Sequence, residues 1–254
     1  MQNTKPKQLT APIIKSTSAI VLLMACFVAT VPAPASAGSF SVTPVRIYML
    51  PRDRAVAVTI TNEGDTEVVL QADLNAWTQK PDGTDEQVPT EDLILSPPII
   101  KLAAGARQVV RLALLKPADA SRQLTYRMLM REVPEAVSNP DKSIQVPIAL
   151  ALSLPVFITP PAAKREMDCT ATRSTPQALN VSCGNQGSAY AQVREILVLR
   201  GDQSLARFEG GTYILPGARK TMSVNGEQAI APGAAQLKVS FDDGKSQVFN
   251  VTVP

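Results

Sequence analysis

Two arginines in apolar surroundings are the residues most able to do chemistry in this chain. Arg46 interrupts SVTPVRIYML (41–50), and Arg127 sits among Tyr126, Met128, Leu129 and Met130 in TYRMLMREVP (125–134). An arginine on a strand is most often part of its solvent face. In a cleft, a guanidinium grips a carboxylate with two charge-assisted hydrogen bonds. Arg131 and Glu132 read instead as an internal ion pair. Catalytic chemistry has little to work with. Histidine is absent, which excludes histidine metal sites and Ser-His-Asp or Cys-His catalysis. There is no GxxxxGK[ST] loop for nucleotide hydrolysis. Asp242-Asp243 precede Gly244 and read as a hairpin turn, not a glycosidase pair. With no nucleophile–base pair to assign, no catalytic residue, cofactor or metal is expected, and the chain reads as a non-enzyme.

The N-terminus reads as a secretory signal peptide spanning 1–37. Lys5, Lys7 and Lys15 precede a short apolar core, SAIVLLMACFVATV (18–31), and Ala35-Ser36-Ala37 offers a cleavage site. The apolar run is too short for a membrane anchor. Of 25 Lys and Arg these three leave, against 22 Asp and Glu, so the mature chain from Gly38 carries no net charge. The basic precursor is therefore no sign of a nucleic-acid partner. Cys26 also leaves, and in a secreted chain the remaining Cys169 and Cys183 are expected to form one disulfide.

The elements that must position the arginines read as strands. AVAVTITN (55–62), EVVLQADLNAW (67–77), RQVVRLALL (107–115) and QLKVSF (236–241) alternate and are rich in valine and threonine. NEGD, KPDG, AAGA, NQG, LPG and FDDG punctuate them as turns. The pattern predicts an all-β fold, and about 217 mature residues suit two immunoglobulin-like sandwiches rather than one. The boundary falls in TPPAAKRE (159–166), giving domains of 38–160 and 161–254. A short internal echo supports duplication. Each half has an Asn-x-Gly turn (ITNEGD, SCGNQG) and later a Gly-Ala-Arg turn (AGARQVVRL, PGARKTMSV).

The longest alternation is SIQVPIALALSLPVFITPP (143–161). Ile144, Val146, Ile148, Leu150, Leu152, Leu154, Val156 and Ile158 share one face, and Phe157 alone breaks the pattern. Pro147 and Pro155 have the same parity, so their missing N–H groups fall on one edge. The run reads as an edge strand. On pattern alone two readings stand level. Either the second domain or the prolines blunt a hazardous edge, or the edge is used to add a strand to an incomplete partner.

In these residues the chain resembles the periplasmic pilus chaperones of the chaperone–usher pathway, in their archaic, spore-coat-U-linked branch. SVTPVRIYML, VTITNEGD, LSPPIIKLAAGARQVVRLALL, TYRMLMREVP and the long strand carry the likeness. SPPxxxLxxGxxQxVRL combined with RExP is its most specific part, and YILPGARKTMSV extends it. The resemblance implies two immunoglobulin-like domains in an L shape and donor-strand complementation. Val146, Ile148, Leu150, Leu152 and Leu154 would enter the groove of a pilin-type or spore-coat-U-like secreted subunit. The subunit would then pass to an outer-membrane usher. Ser96-Pro97 matches the family's cis-proline site. Arg46 matches a first-strand arginine that anchors the terminal carboxylate of the bound subunit. The lysine expected at the end of the long strand is replaced by Pro155, which shifts weight to Arg127. The loop EAVSNPDKS (135–143) lacks the cysteine pair of some members. A free dimer that buries its own edge strands is compatible with this reading. The rival, a secreted glycan-binding or structural surface module, requires an exposed aromatic platform, and the chain offers one tryptophan, Trp77, and few tyrosines.

Overall fold

A computed structural model describes residues 40–134 and 149–254. The expected signal peptide and two donor-strand residues, Val146 and Ile148, lie outside the described residues. The described chain is all-β. Its first ten strands form two sheets packed face to face. One sheet runs β1 (Phe40–Thr43), β3 (Ala55–Asn62), β8 (Arg107–Leu114), β6 (Leu93–Ser96). The other runs β2 (Ile47–Met49), β10 (Ala151–Ile158), β9 (Leu124–Glu132), β4 (Val68–Gln79), β5 (Asp85–Pro89), with β7 (Ile99–Leu102) also on β4. Inward-facing side chains such as Val58, Ile60, Leu70, Ile100, Leu112, Met128 and Val156 close one core, each contributing roughly 1.5–3 kcal/mol relative to exposure.

The segment expected to be one first strand is two. Between β1 and β2 the chain leaves one sheet for the other through a cis Thr43–Pro44 bond. The β6–β7 connection makes the same change of sheet through a cis Ser96–Pro97 bond. The family resemblance implied the second of these cis bonds and not the first.

From Met167 onward seven strands form one sheet: β11 (Met167–Thr175), β12 (Ala178–Asn185), β15 (Arg219–Asn225), β14 (Gln203–Ile214), β13 (Ala191–Arg200), β16 (Gly233–Phe241), β17 (Ser246–Val253). β14 and β15 share only the Arg207–Asn225 bridge, so the sheet folds over there and encloses a second core. Cys169 and Cys183 face each other across β11 and β12 and form a disulfide.

The echo between the halves has a structural counterpart. Asn62 ends β3 and Asn185 ends β12, both buried. In each case the side-chain oxygen accepts the N–H two residues on, from Gly64 at 3.0 Å and Gly187 at 3.0 Å. The amide donates across to carbonyls of a distant strand end, Leu102 and Ala103 or Ile214. The backbone N–H of each asparagine bonds the Gly-Ala turn, at Ala106 and Ala218. Gly105 and Gly217 adopt positive φ in those turns, 66° and 86°, which glycine alone does freely.

Candidate functional site

The site is built around β10. Glu132 N–H bonds the Leu150 carbonyl, and Thr159 N–H bonds the Met49 carbonyl, both at 2.9 Å. Even-numbered residues of this strand therefore direct their main-chain groups to β9, and odd-numbered residues direct theirs to the other edge. β2 covers that other edge only from Val156 to Ile158. Ala151, Ser153 and Pro155 lie on the part that no described strand pairs. Pro155, which has no N–H, sits on the open edge, as the parity of the prolines predicts.

The side chains grade along the strand. Val156 and Ile158 are fully within the first core, and Leu154 is only 6% exposed. Leu152 packs partly against that core, and Leu150 is 37% exposed. Phe157, the exception in the alternation, points to the opposite face. It stacks on Tyr190 at 4.0 Å between centroids and joins Trp77 and Leu215 in a third, smaller core. That core glues the first two sheets to the seven-stranded one.

Arg127 and Arg46 both border this aromatic core but differ in state. Arg46 precedes β2 and donates from Nη1 to Asp242 Oδ2 at 2.7 Å. Tyr190 also donates to that carboxylate oxygen, at 2.9 Å, and receives the Tyr48 hydroxyl at 2.8 Å. Burial opposes the charge of Arg46, but Tyr48, Tyr213 and Asp242 outweigh it and its pKa is raised. Arg127 lies opposite Pro155 on β9. Its guanidinium carbon is 3.7 Å from the centre of the Trp77 ring and 5.5 Å from that of Tyr213, a cation–π arrangement. Burial lowers its pKa, against a weaker opposing pull from Tyr213 and Asp85; at neutral pH it stays charged. Arg127 forms no ion pair among the described residues, and its Nε is buried without a hydrogen bond. A buried cationic donor with no anion is costly, and a carboxylate is its natural complement.

The Arg131–Glu132 ion pair is not formed. Neighbours on a strand face opposite ways; Arg131 pairs with Asp73, and Glu132 accepts the Leu150 N–H at 3.3 Å. The Asp242-Asp243 turn before Gly244 (φ 78°) does join β16 and β17, yet both carboxylates are used, Asp242 by Arg46 and Asp243 by Arg165. Tyr48, Tyr190 and Tyr213 were not expected at the site. No local pattern announces them, because residues far apart in the chain meet only when the sheets pack. No cluster of acidic or cysteine residues suited to a metal occurs among the described residues.

Sequence comparison with curated proteins finds no match. One chain of the crystallised CsuC–CsuE chaperone–tip adhesion subunit pre-assembly complex, from the archaic chaperone–usher Csu pili of Acinetobacter baumannii, superposes with TM-score 0.62 at 19% identity, covering 85% of this chain and 99% of that one. The E. coli chaperone DraB gives TM-score 0.56 at 16% identity, covering 86% and 98%. A chain of the Salmonella enterica SafA pilin–SafB chaperone complex gives 0.56 at 15%, covering 85% and 97%. At such identities these likenesses establish the fold, two immunoglobulin-like domains. Residues 39–164 match the profile of the pili and flagellar-assembly chaperones, PapD N-terminal domain. The chain belongs to the pilus chaperone family, whose members are chaperones and not enzymes.

Proposed function

We propose that this protein works in the periplasm, where it caps pilin-type subunits by lending them β10 as their missing strand and hands them to an outer-membrane usher. The carrying observation is the outer edge of β10 from Ala151 to Pro155, which no described strand pairs. Main-chain groups on that edge supply register and affinity, and alternate side chains fill the partner's core. Leu150 and Leu152 are the described residues with apolar surface left to give, and in the sequence Val146 and Ile148 share their parity. Leu154 roots the strand in the chaperone's own core. Each inserted side chain contributes roughly 1.5–3 kcal/mol, reduced by ordering costs.

Arg127 is the stronger anchor for a subunit's terminal carboxylate, because its charge is uncommitted. Arg46 is held by Asp242 and serves as a strut between domains. The archaic branch, with spore-coat-U-like subunits, is the best fit for an anchor on β9 with proline at the end of β10. Free copies can pair their open edges with one another as a resting dimer. A glycan-binding surface module fits less well: Trp77 and Phe157 are 1% and 0% exposed, so the aromatic residues are mostly consumed in packing.

The test is co-expression with neighbouring secreted β-proteins and recovery of the tagged chaperone from the periplasm. A one-to-one complex is expected, lost in Leu150→Asp. If no such passenger co-purifies despite good expression of those proteins, the proposal fails.

A further inference from the structure

Tyr213 presents a hydroxyl that the anchor at Arg127 does not by itself explain. The other three tyrosine hydroxyls are engaged: Tyr48 with Tyr190, Tyr190 with Asp242, and Tyr126 with Asp92 at 3.0 Å. Buried tyrosines ordinarily find such partners. Tyr213 is half-buried, and its hydroxyl has no hydrogen bond among the described residues. Its ring is nevertheless fixed. It stands edge-on to Trp77 at 5.3 Å and 81°, and lies 5.6 Å from Tyr190. Its main chain is clamped by Gln79, which donates to the Tyr213 carbonyl at 3.1 Å and accepts the Leu215 N–H at 2.8 Å. Both Arg46 and Arg127 lie within electrostatic reach of its hydroxyl. A fixed, unspent donor beside an uncommitted guanidinium is a composite donor site, suited to an acceptor with two oxygens.

We infer that a subunit's terminal carboxylate is gripped from both domains at once, by Arg127 of the first and by the Tyr213 hydroxyl of the second. This rests on the reading of Arg127 as the anchor. Burial raises the Tyr213 pKa, ahead of the opposing pull of the two arginines, so the hydroxyl keeps its proton at neutral pH and donates it to one carboxylate oxygen. Arg127 takes the other. The anchor then depends on the two domains keeping their relation, because its two donors belong to different sheets.

The probe is a synthetic peptide copying the C-terminal strand of the co-purified subunit, made as free acid and as C-terminal amide. Binding to the full chain is followed by fluorescence of Trp77, the one tryptophan, which lies directly under Arg127. Wild type should prefer the acid, and Arg127→Ala should erase the preference. Tyr213→Phe keeps the ring and should weaken the acid about tenfold, the scale of one charge-assisted hydrogen bond, while leaving the amide unchanged. Equal weakening of acid and amide, or no weakening, overturns the role of Tyr213 even where Arg127→Ala behaves as expected. If wild type binds acid and amide alike, or Arg127→Ala retains the preference, the anchor reading itself falls and this inference with it.

Discussion

Asn185 illustrates how much a single side chain holds together. Its amide donates to Ala189 at 2.8 Å and Ile214 at 3.0 Å, and its oxygen accepts from Gly187 at 3.0 Å and Glu166 at 3.2 Å. It is fully buried. Alanine there strands several main-chain groups away from water, each worth about 1–3 kcal/mol when left unpaired. Asn185→Ala should lower unfolding stability by about 3 kcal/mol, read by urea denaturation; a loss below about 1 kcal/mol would show that water or relaxation replaces it. The sequence marked this position through its Asn-x-Gly echo with Asn62, because the turn chemistry is local. Arg127 was also legible, as a charge amid apolar neighbours. That Arg46 would be neutralised by Asp242 was not, since the two are brought together only by domain packing.

At the level of elements, the proposed function divides the β10 segment into a root and a donated part. Leu154 lies in the chaperone's core while Leu150 reaches solvent. Leu150→Asp should therefore leave the melting temperature nearly unchanged and abolish recovery of the passenger. Leu154→Asp should unfold the first domain, because a buried carboxylate without a partner costs several kcal/mol. Similar losses of thermal stability in the two variants would contradict the division. Strand existence was legible in this element and in 55–62 and 107–115, where large apolar residues recur at every second position. The parity of Pro155 told which edge is open. What alternation did not tell was where β2 begins to cover that edge, nor that Ser41–Leu50 splits between two sheets. Both depend on how one sheet lies over the other, and side-chain periodicity carries no information about that.

The whole molecule is held by contacts that cross from the first ten strands to the last seven. Phe157 and Trp77 pack on Tyr190, Tyr213 and Leu215. The tight turn at Gly83 (φ 83°) lies against Arg219 and Lys220, where an added Cβ would collide with backbone. Arg219 N–H bonds the Pro81 carbonyl at 3.0 Å. Asp85 links the two sides, accepting Trp77 Nε1 at 2.9 Å and pairing with Lys220 at 3.2 Å. Burial alone would raise the Asp85 pKa, but hydrogen bonds from Gln79, Trp77 and Lys220 outweigh it and the value is lowered. The folded state thus prefers the carboxylate. Its contribution is present above the unfolded value of about 3.9 and is lost as pH falls through the depressed folded value. Because Asp85 is largely exposed, solvent screening keeps that contribution to roughly 0.5–1 kcal/mol. Asp85→Asn should lower the melting temperature slightly at pH 7 and flatten the acid limb below about pH 5, measured by pH-resolved thermal melts. Parallel acid limbs for variant and wild type would remove Asp85 from the junction's electrostatics and leave the aromatic core as its main support. In either case the proposed donor pair, split between Arg127 and Tyr213, would tie the capture of a passenger to the integrity of this junction. The same melts repeated with bound peptide should show the free acid raising the wild-type transition more than the amide does.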